Sequence, residues 1–209
     1  MTPDHIAAVL LAGGEARRMN RRDKGLLPFG QQSLAQRVLE RLQQQIDMVV
    51  IVANRNTDVY RQLGVPVISD WDEREGSNDS SDSSSTTVYQ GPLRGIYRAM
   101  RYYQSLATVP EWLLLAPCDA PNYPADLLQR YLSALAACAP GTQCLIPNDG
   151  KRLQPLFALL HMSCIRSIES ALNKKEFAMM DWLHHINYTQ LDMPRDYFHN
   201  INYPEQLKG

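Results

Sequence analysis

The stretch that decides the fold is Ala8–Leu27, AVLLAGGEARRMNRRDKGLL. Counted from two residues earlier it opens as an apolar run, Ile6-Ala-Ala-Val-Leu-Leu-Ala12, the right length for a strand buried on both faces. Gly13-Gly14 breaks the run at its carboxyl end, where open α/β sheets bind their ligands. Glu15, Arg17, Arg18, Arg21 and Arg22 follow, and Asp23-Lys24-Gly25 closes the loop. Glycines let backbone N–H groups approach an anion closely, and arginine and lysine side chains can close over it. The stretch therefore predicts a strand leading into a phosphate-binding loop. Neither common glycine-rich phosphate motif is present: Lys24 is followed by Gly25, which excludes G-x-x-x-x-G-K-[ST], and no G-x-G-x-x-G occurs. Taken singly, two glycines can be a plain turn and arginines a solvated surface; their combination with Asp-Lys is what points to phosphate.

Outward from this loop the pattern alternates. Ser33–Gln45 reads as a helix, with Leu34, Val38, Leu39 and Leu42 at helical spacing and Ser33 as N-cap. Met48–Ala53 reads as a second buried strand, Asp58–Leu63 as a short helix and Val65–Ile68 as a third strand ending at Ser69-Asp70. Gly91-Pro92-Leu93-Arg94-Gly95 reads as a turn into a helix at Ile96–Gln104, and Trp112–Ala116 as a fourth buried strand. Helices at Pro124–Ala137 and Cys164–Leu172 follow, with strands at Gln143–Ile146 and Tyr197–Ile201. This rhythm predicts right-handed crossovers and one three-layer α/β/α domain with a mostly parallel, Rossmann-like sheet.

With 209 residues, 44% of them hydrophobic, the chain can bury one sizeable core. A net charge of −1 argues against a general nucleic-acid or membrane-surface binder, while permitting a local basic site. No apolar stretch approaches a membrane span and no basic-then-apolar signal opens the chain, so a cytoplasmic protein is expected. Cys118, Cys138, Cys144 and Cys164 show no zinc spacing and read as reduced thiols. Glu75–Thr87, EGSNDSSDSSSTT, has almost nothing to bury; residues 75–89 are expected to be a flexible surface insertion in a single domain spanning 1–209.

Several residues carry possible chemistry. Asp119, in Pro117-Cys118-Asp119-Ala120-Pro121 after the fourth strand, is placed to hold Mg²⁺ against nucleotide phosphates, or else to cap a helix. Asp70 ends the third strand, where it could accept hydrogen bonds from a guanine or a ribose, or serve as a turn residue. Arg94 is either a phosphate contact or a solvated side chain. Lys151 and Arg152 could meet an acceptor phosphate or remain solvated. The histidines, His184-His185 included, lack metal-ligand spacing and read as structural or surface residues.

The pattern LAGG-x-x-x-R-M-x-x-x-DKGLL resembles the signature loop of the sugar-nucleotidyltransferase-like superfamily, and in detail the molybdenum cofactor guanylyltransferase family. Further blocks follow in that family's order: Gly91-Pro92-Leu93-x-Gly95, Pro117-Cys118-Asp119-x-Pro121, Asp149-Gly150-x-Arg152, Gln154-Pro155 and Asn200-Ile-Asn202-x-Pro204-Glu205. The resemblance implies a nucleotidyltransferase-type fold and transfer of GMP from GTP to the terminal phosphate of molybdenum-molybdopterin. It implies nucleotide contacts from Leu11, Ala12, Gly13, Gly14, Lys24, Asp70 and Asp119, catalytic roles for Arg18, Lys24 and Asp119, and Mg²⁺ on Asp119, with Asn202 near the metal. It also implies a monomer whose product passes to molybdoenzyme maturation proteins. One position departs: the family commonly has asparagine in the second strand where this chain has Val52, with Asn54 two residues on, on the same strand face. A CTP-dependent sister transferase and a nucleotide-binding adaptor without turnover therefore stay open beside the guanylyltransferase.

Overall fold

The computed structural model describes residues 5–12, 23–70 and 91–201 together with Gln206. Gly13, Gly14, Arg17, Arg18, Arg21, Arg22, the 75–89 insertion and Asn202 lie outside the described residues.

Strand β1, Ile6–Leu11, runs through the middle of a seven-stranded sheet because it offers apolar side chains to both faces. Ile6, Ala8 and Leu10 enter one core, and Ala7 and Val9 the other, with the two-residue period of a strand. The first core is covered by α1 (Leu34–Gln43), α2 (Thr57–Arg61) and α4 (Leu127–Leu135). The second is covered by α3 (Gly91–Gln104), α5 (Ile165–Asn173) and α6 (Met179–Leu183). That is the three-layer sandwich the sequence predicts.

The other strands of the sheet are β4 (Val49–Val52), β5 (Val67–Ile68), β6 (Trp112–Pro117), β7 (Cys144–Asn148), β8 (Leu159–His161) and β9 (Tyr188–Asp192). A separate antiparallel pair, β2 (Pro28–Phe29) and β3 (Gln32–Ser33), leads into α1, whose N-cap Ser33 accepts from the Gln36 N–H at 3.2 Å. The sheet order is β5-β4-β1-β6-β8-β7-β9, and β8 runs antiparallel to both its neighbours while the remaining pairs are parallel. From β1 the chain moves outward to β4 and β5, then returns to β6 on β1's other side. That reversal opens a crevice at the carboxyl ends of β1 and β6. Cys118 N–H to the Leu11 carbonyl, 3.1 Å, carries the pairing one step past the strand ends.

Four details depart from the sequence reading. Helix α3 spans Gly91–Gln104 and so takes in the glycines that the sequence reads as a turn before Ile96; they serve close packing. A Cβ on Gly95 would lie 3.3 Å from side-chain atoms of Leu11 and Val52, and Gly91, at φ +71°, sits where a Cβ would be 2.5 Å from the Phe177 carbonyl oxygen. Helix α4 begins at Leu127 rather than Pro124. The Gln45 amide inserts at this end, donating to the Pro124 carbonyl and accepting from the Leu128 N–H, 3.0 and 3.1 Å, in place of a helical bond between them. Tyr197–Ile201 is not a strand: Arg195–Phe198 is a 3₁₀ turn that buries Phe198, and Ile201 is buried beyond it. The last strand is β9, an edge that pairs with β7 and alternates exposed and half-buried residues, so no apolar run marks it.

Candidate active site

Lys24 and Asp119, far apart in sequence, meet at the mouth of the crevice: Lys24 Nζ donates to Asp119 Oδ2 in a part-buried ion pair. Asp119 arrives there at the end of β6, and its carbonyl accepts from the Ile201 N–H at 2.8 Å. Lys24 opens a 3₁₀ turn, Lys24–Leu26, preceded by Asp23. Both oxygens of the Asp23 carboxylate are held, one by the Tyr60 hydroxyl at 2.7 Å and one by the Asn56 side-chain amide at 3.0 Å. Gly25 is buried, and a Cβ there would stand 2.4 Å from the Tyr60 hydroxyl oxygen and 3.3 Å from Cys118 Sγ. The lysine's turn is thus wedged between α2 and the residue that precedes Asp119. Burial, and then the nearby Asp119 charge, push the Cys118 thiol up, so it packs as a neutral group.

Leu11 and Ala12 lie at the carboxyl end of β1, the Ala12 N–H bonded to the Val52 carbonyl at 2.8 Å. Asp70 is buried at the end of β5. Its N–H and the Ser69 hydroxyl both donate to Asn54 Oδ1, at 3.0 and 3.1 Å, and Arg94 Nε donates to its carbonyl at 2.8 Å. Arg98 Nε reaches the Ser69 carbonyl at 3.3 Å. Asn54 and the two α3 arginines therefore brace the strand end that carries Asp70. Val52 packs fully against the Gly95 side of α3.

A second polar hollow of about 430 Å³ lies beside the carboxyl ends of β7 and β9, lined among others by Asp149, Arg152, Arg195, Asp196 and His199. Its floor is a tight turn: Asp149 Oδ1 accepts from the Lys151 and Arg152 N–H groups, both 2.9 Å, and Oδ2 from the buried Gln154 amide at 2.8 Å. These bonds, the Arg152 N–H first, hold the Asp149 carboxyl below the usual carboxylate range. Of the pair Lys151 and Arg152, the second lines the hollow. The hollow is also lined by Asn200, whose neighbour Ile201 donates its N–H to the Asp119 carbonyl. Lys174 and Lys175 close α5, Lys175 in the left-handed region at φ +62°. His161 sits at the start of a 3₁₀ turn, where its side chain accepts from the Ser163 N–H, a structural role.

Residues 8–188 match the MobA-like NTP transferase domain. The chain belongs to this family. The chain is similar to a molybdenum cofactor guanylyltransferase of Shewanella loihica, 35% identical over 208 residues, covering 99% of this chain and 95% of that protein. One of Shewanella halifaxensis, also a molybdenum cofactor guanylyltransferase, is 36% identical over 203 residues, covering 96% and 91%. Among solved structures, the molybdopterin-guanine dinucleotide biosynthesis protein A of Archaeoglobus fulgidus superposes with a TM-score of 0.71 at 22% identity, covering 97% of this chain and 95% of its own. That likeness shows the family's fold. The sequence reading named Lys24 and Asp119 separately, and the fold brings them into contact. It overlooked Tyr60 and Asn56, which no motif or period marks, and Arg195 and Asp196, which precede the strand expected at Tyr197–Ile201 and open a 3₁₀ turn instead.

Among the described residues no three His, Cys, Asp or Glu side chains converge on a metal site. Magnesium does not need such a cluster when phosphates are present, since it takes one or two carboxylates and completes its shell with phosphate oxygens and water. A single part-buried carboxylate at the crevice, already balancing one cation, fits that requirement.

Proposed function

We propose that this protein transfers GMP from GTP to the terminal phosphate of molybdenum-molybdopterin, releasing pyrophosphate and forming the guanine dinucleotide. Its near full-length relatives carry that activity in their names. The observation that carries the reading into the site is the Lys24–Asp119 pair at the sheet's switch point. An oxygen of the acceptor phosphate forms a bond to the α-phosphorus, and the bond from that phosphorus to the oxygen bridging to the β-phosphate breaks. A phosphate monoester is largely dianionic at neutral pH, so the nucleophile needs no general base. The site must align two anions that repel each other and balance the charge of the transition state.

Lys24 supplies a compact cation that exchanges Asp119 for phosphate oxygens, and Arg18 a second positive charge. Mg²⁺, which Asp119 would hold, supplies further charge neutralisation when bound. Leu11, Ala12, Gly13 and Gly14 offer backbone to the nucleotide, and Asp70 an acceptor for guanine or ribose. The hollow with Arg152 and Arg195 suits the acceptor, a polar phosphorylated molecule, and adjoins the segment bonded to Asp119. We further propose a monomer acting in the reducing cytoplasm, supported by four free thiols, and handing its product to maturation proteins of molybdoenzymes. Among the described residues no helix is long and apolar enough to cross a membrane.

The test is pyrophosphate release from purified protein with Mg²⁺, loaded molybdopterin and each of GTP, CTP, ATP and UTP. Release with GTP alone supports the reading. Release with CTP moves the activity to the sister class and makes Val52 the first residue to exchange. No release from folded protein favours an adaptor.

A further inference from the structure

Lysine has a long, flexible stem, so a lysine that must meet phosphates reliably needs its backbone fixed and competing anions kept away. Lys24 has an anion as its immediate neighbour in sequence, the carboxylate of Asp23. An unheld carboxylate there would compete with phosphate for the ammonium group. In this protein that carboxylate is turned onto α2 and its start, where Tyr60 and Asn56 each take one oxygen, at 2.7 and 3.0 Å. The same Tyr60 hydroxyl limits the next residue but one, since a Cβ on Gly25 would come within 2.4 Å of it. Tyr60 is fully buried, and its hydroxyl is pushed well above its ordinary range by burial, so it remains a donor at every working pH. Asn56 holds its position in the left-handed region, φ 52°, which asparagine tolerates far better than most residues.

We propose that Tyr60 and Asn56 are positioning residues of the transfer reaction: by holding both oxygens of Asp23 they fix the Lys24–Gly25 turn and keep that carboxylate off the Lys24 ammonium group. The inference rests on the reading of Lys24 as a phosphate-binding residue. Neither residue touches the reacting atoms. They act through Asp23, and their loss is felt where Lys24 is used. Because both donors are neutral and the acceptor is charged, each bond is of the stronger, charge-assisted kind.

The experiment compares wild type with Tyr60→Phe, Asn56→Gly, Asp23→Ala and the double variant Tyr60→Phe/Asp23→Ala. Tyr60→Phe keeps the buried ring, and Asn56→Gly keeps the left-handed backbone, so each removes a donor with the fold retained. Two quantities are read: the dissociation constant for GTP by calorimetry without acceptor, and kcat and KM for GTP from pyrophosphate release. Each donor variant is expected to weaken GTP binding and raise KM by about tenfold, the lower end of what losing a hydrogen bond to a charged group costs. In the Asp23→Ala background, Tyr60→Phe should change either constant by less than about twofold, because the group it acts through is gone. Unchanged GTP constants in both donor variants overturn the proposal, as does a Tyr60→Phe effect that persists at full size without Asp23. Wild type that neither binds GTP nor turns over overturns the proposed function itself, a result separate from a working enzyme indifferent to Tyr60 and Asn56.

Discussion

Replacing Gly25 with alanine sets two opposing effects against each other. Gly25 has no positive φ, so alanine fits its backbone, and the stiffer unfolded chain alone would stabilise the protein by about 0.4–1 kcal/mol. Against that stands space. The new methyl would lie 2.4 Å from the Tyr60 hydroxyl and 3.3 Å from both the Ala35 Cβ and Cys118 Sγ. The hydroxyl sits at the end of a rigid, fully buried ring and is itself bonded to Asp23, so it cannot swing aside at no cost. Overpacking costs about 1–3 kcal/mol, and a clash this short with a rigid ring falls at about 2–2.5 kcal/mol, which leaves a net loss of about 1–2 kcal/mol. For a chain of this size that is a fall in Tm of about 3–6 °C, measurable by calorimetry or by the urea midpoint. The strain should be relieved in Gly25→Ala/Tyr60→Phe, where the two losses combine to at least about 1 kcal/mol less than their sum. A Gly25→Ala variant as stable as wild type, or more stable, refutes the reasoning, because then the turn has room and nothing wedges Lys24.

Lys24→Ala and Asp119→Ala are each expected to lower kcat/KM for GTP-dependent pyrophosphate release by a hundredfold or more, as about 3 kcal/mol of lost transition-state charge stabilisation would; an unchanged kcat/KM contradicts the assigned roles. Gly91→Ala meets both a left-handed φ of +71° and the Phe177 carbonyl at 2.5 Å, so urea unfolding should show a loss of about 2 kcal/mol or more. Burial pushes the Cys118 and Cys144 thiols well up and that of Cys164 up to about 12. Below the ordinary thiol value both folded and unfolded chains are protonated and stability is undiminished; above it the unfolded chain ionises first, so the urea midpoint should fall from about pH 8.5 upward. At pH 8 a thiol-reactive chromophore should label Cys138 readily and the other three cysteines only in urea, whereas four fast thiols in the native protein refute the packing.

What the sequence made legible was what repeats or concentrates. Strand β1 and strand β4 are continuous apolar runs because helices cover both faces, and α1 carries its N-cap and its apolar stripe in plain view. Lys24 and Asp119 could be named because each closes a strand-and-loop block of recognisable composition. Features that depend on a distant neighbour were hidden. The glycines of α3 look like a turn until Phe177 and Val52 are packed against them. Gln45 ends up governing where α4 begins, through bonds to residues 79 and 83 positions further along the chain. Strand β9 lies at the sheet's edge with one partner, so Tyr188–Asp192 had no need of an apolar run. Tyr60 falls in the same class, since nothing local to a short helix says that its hydroxyl will meet the carboxylate before Lys24.

The bond from the Ile201 N–H to the Asp119 carbonyl has a consequence for how the protein comes into being. A chain emerging from the ribosome can assemble β1, β4, β5 and β6 around their helices, pairing strands that are already made. Asp119 is then present but lacks the backbone partner that braces it, because Ile201 lies far downstream of these strands in sequence. A shortened product that stops before Ile201 would be expected to fold its sheet and still hold its key carboxylate loosely. The brace on Asp119 is thus set after the sheet that presents it, so a truncation before Ile201 separates folding of the sheet from fixing of the site.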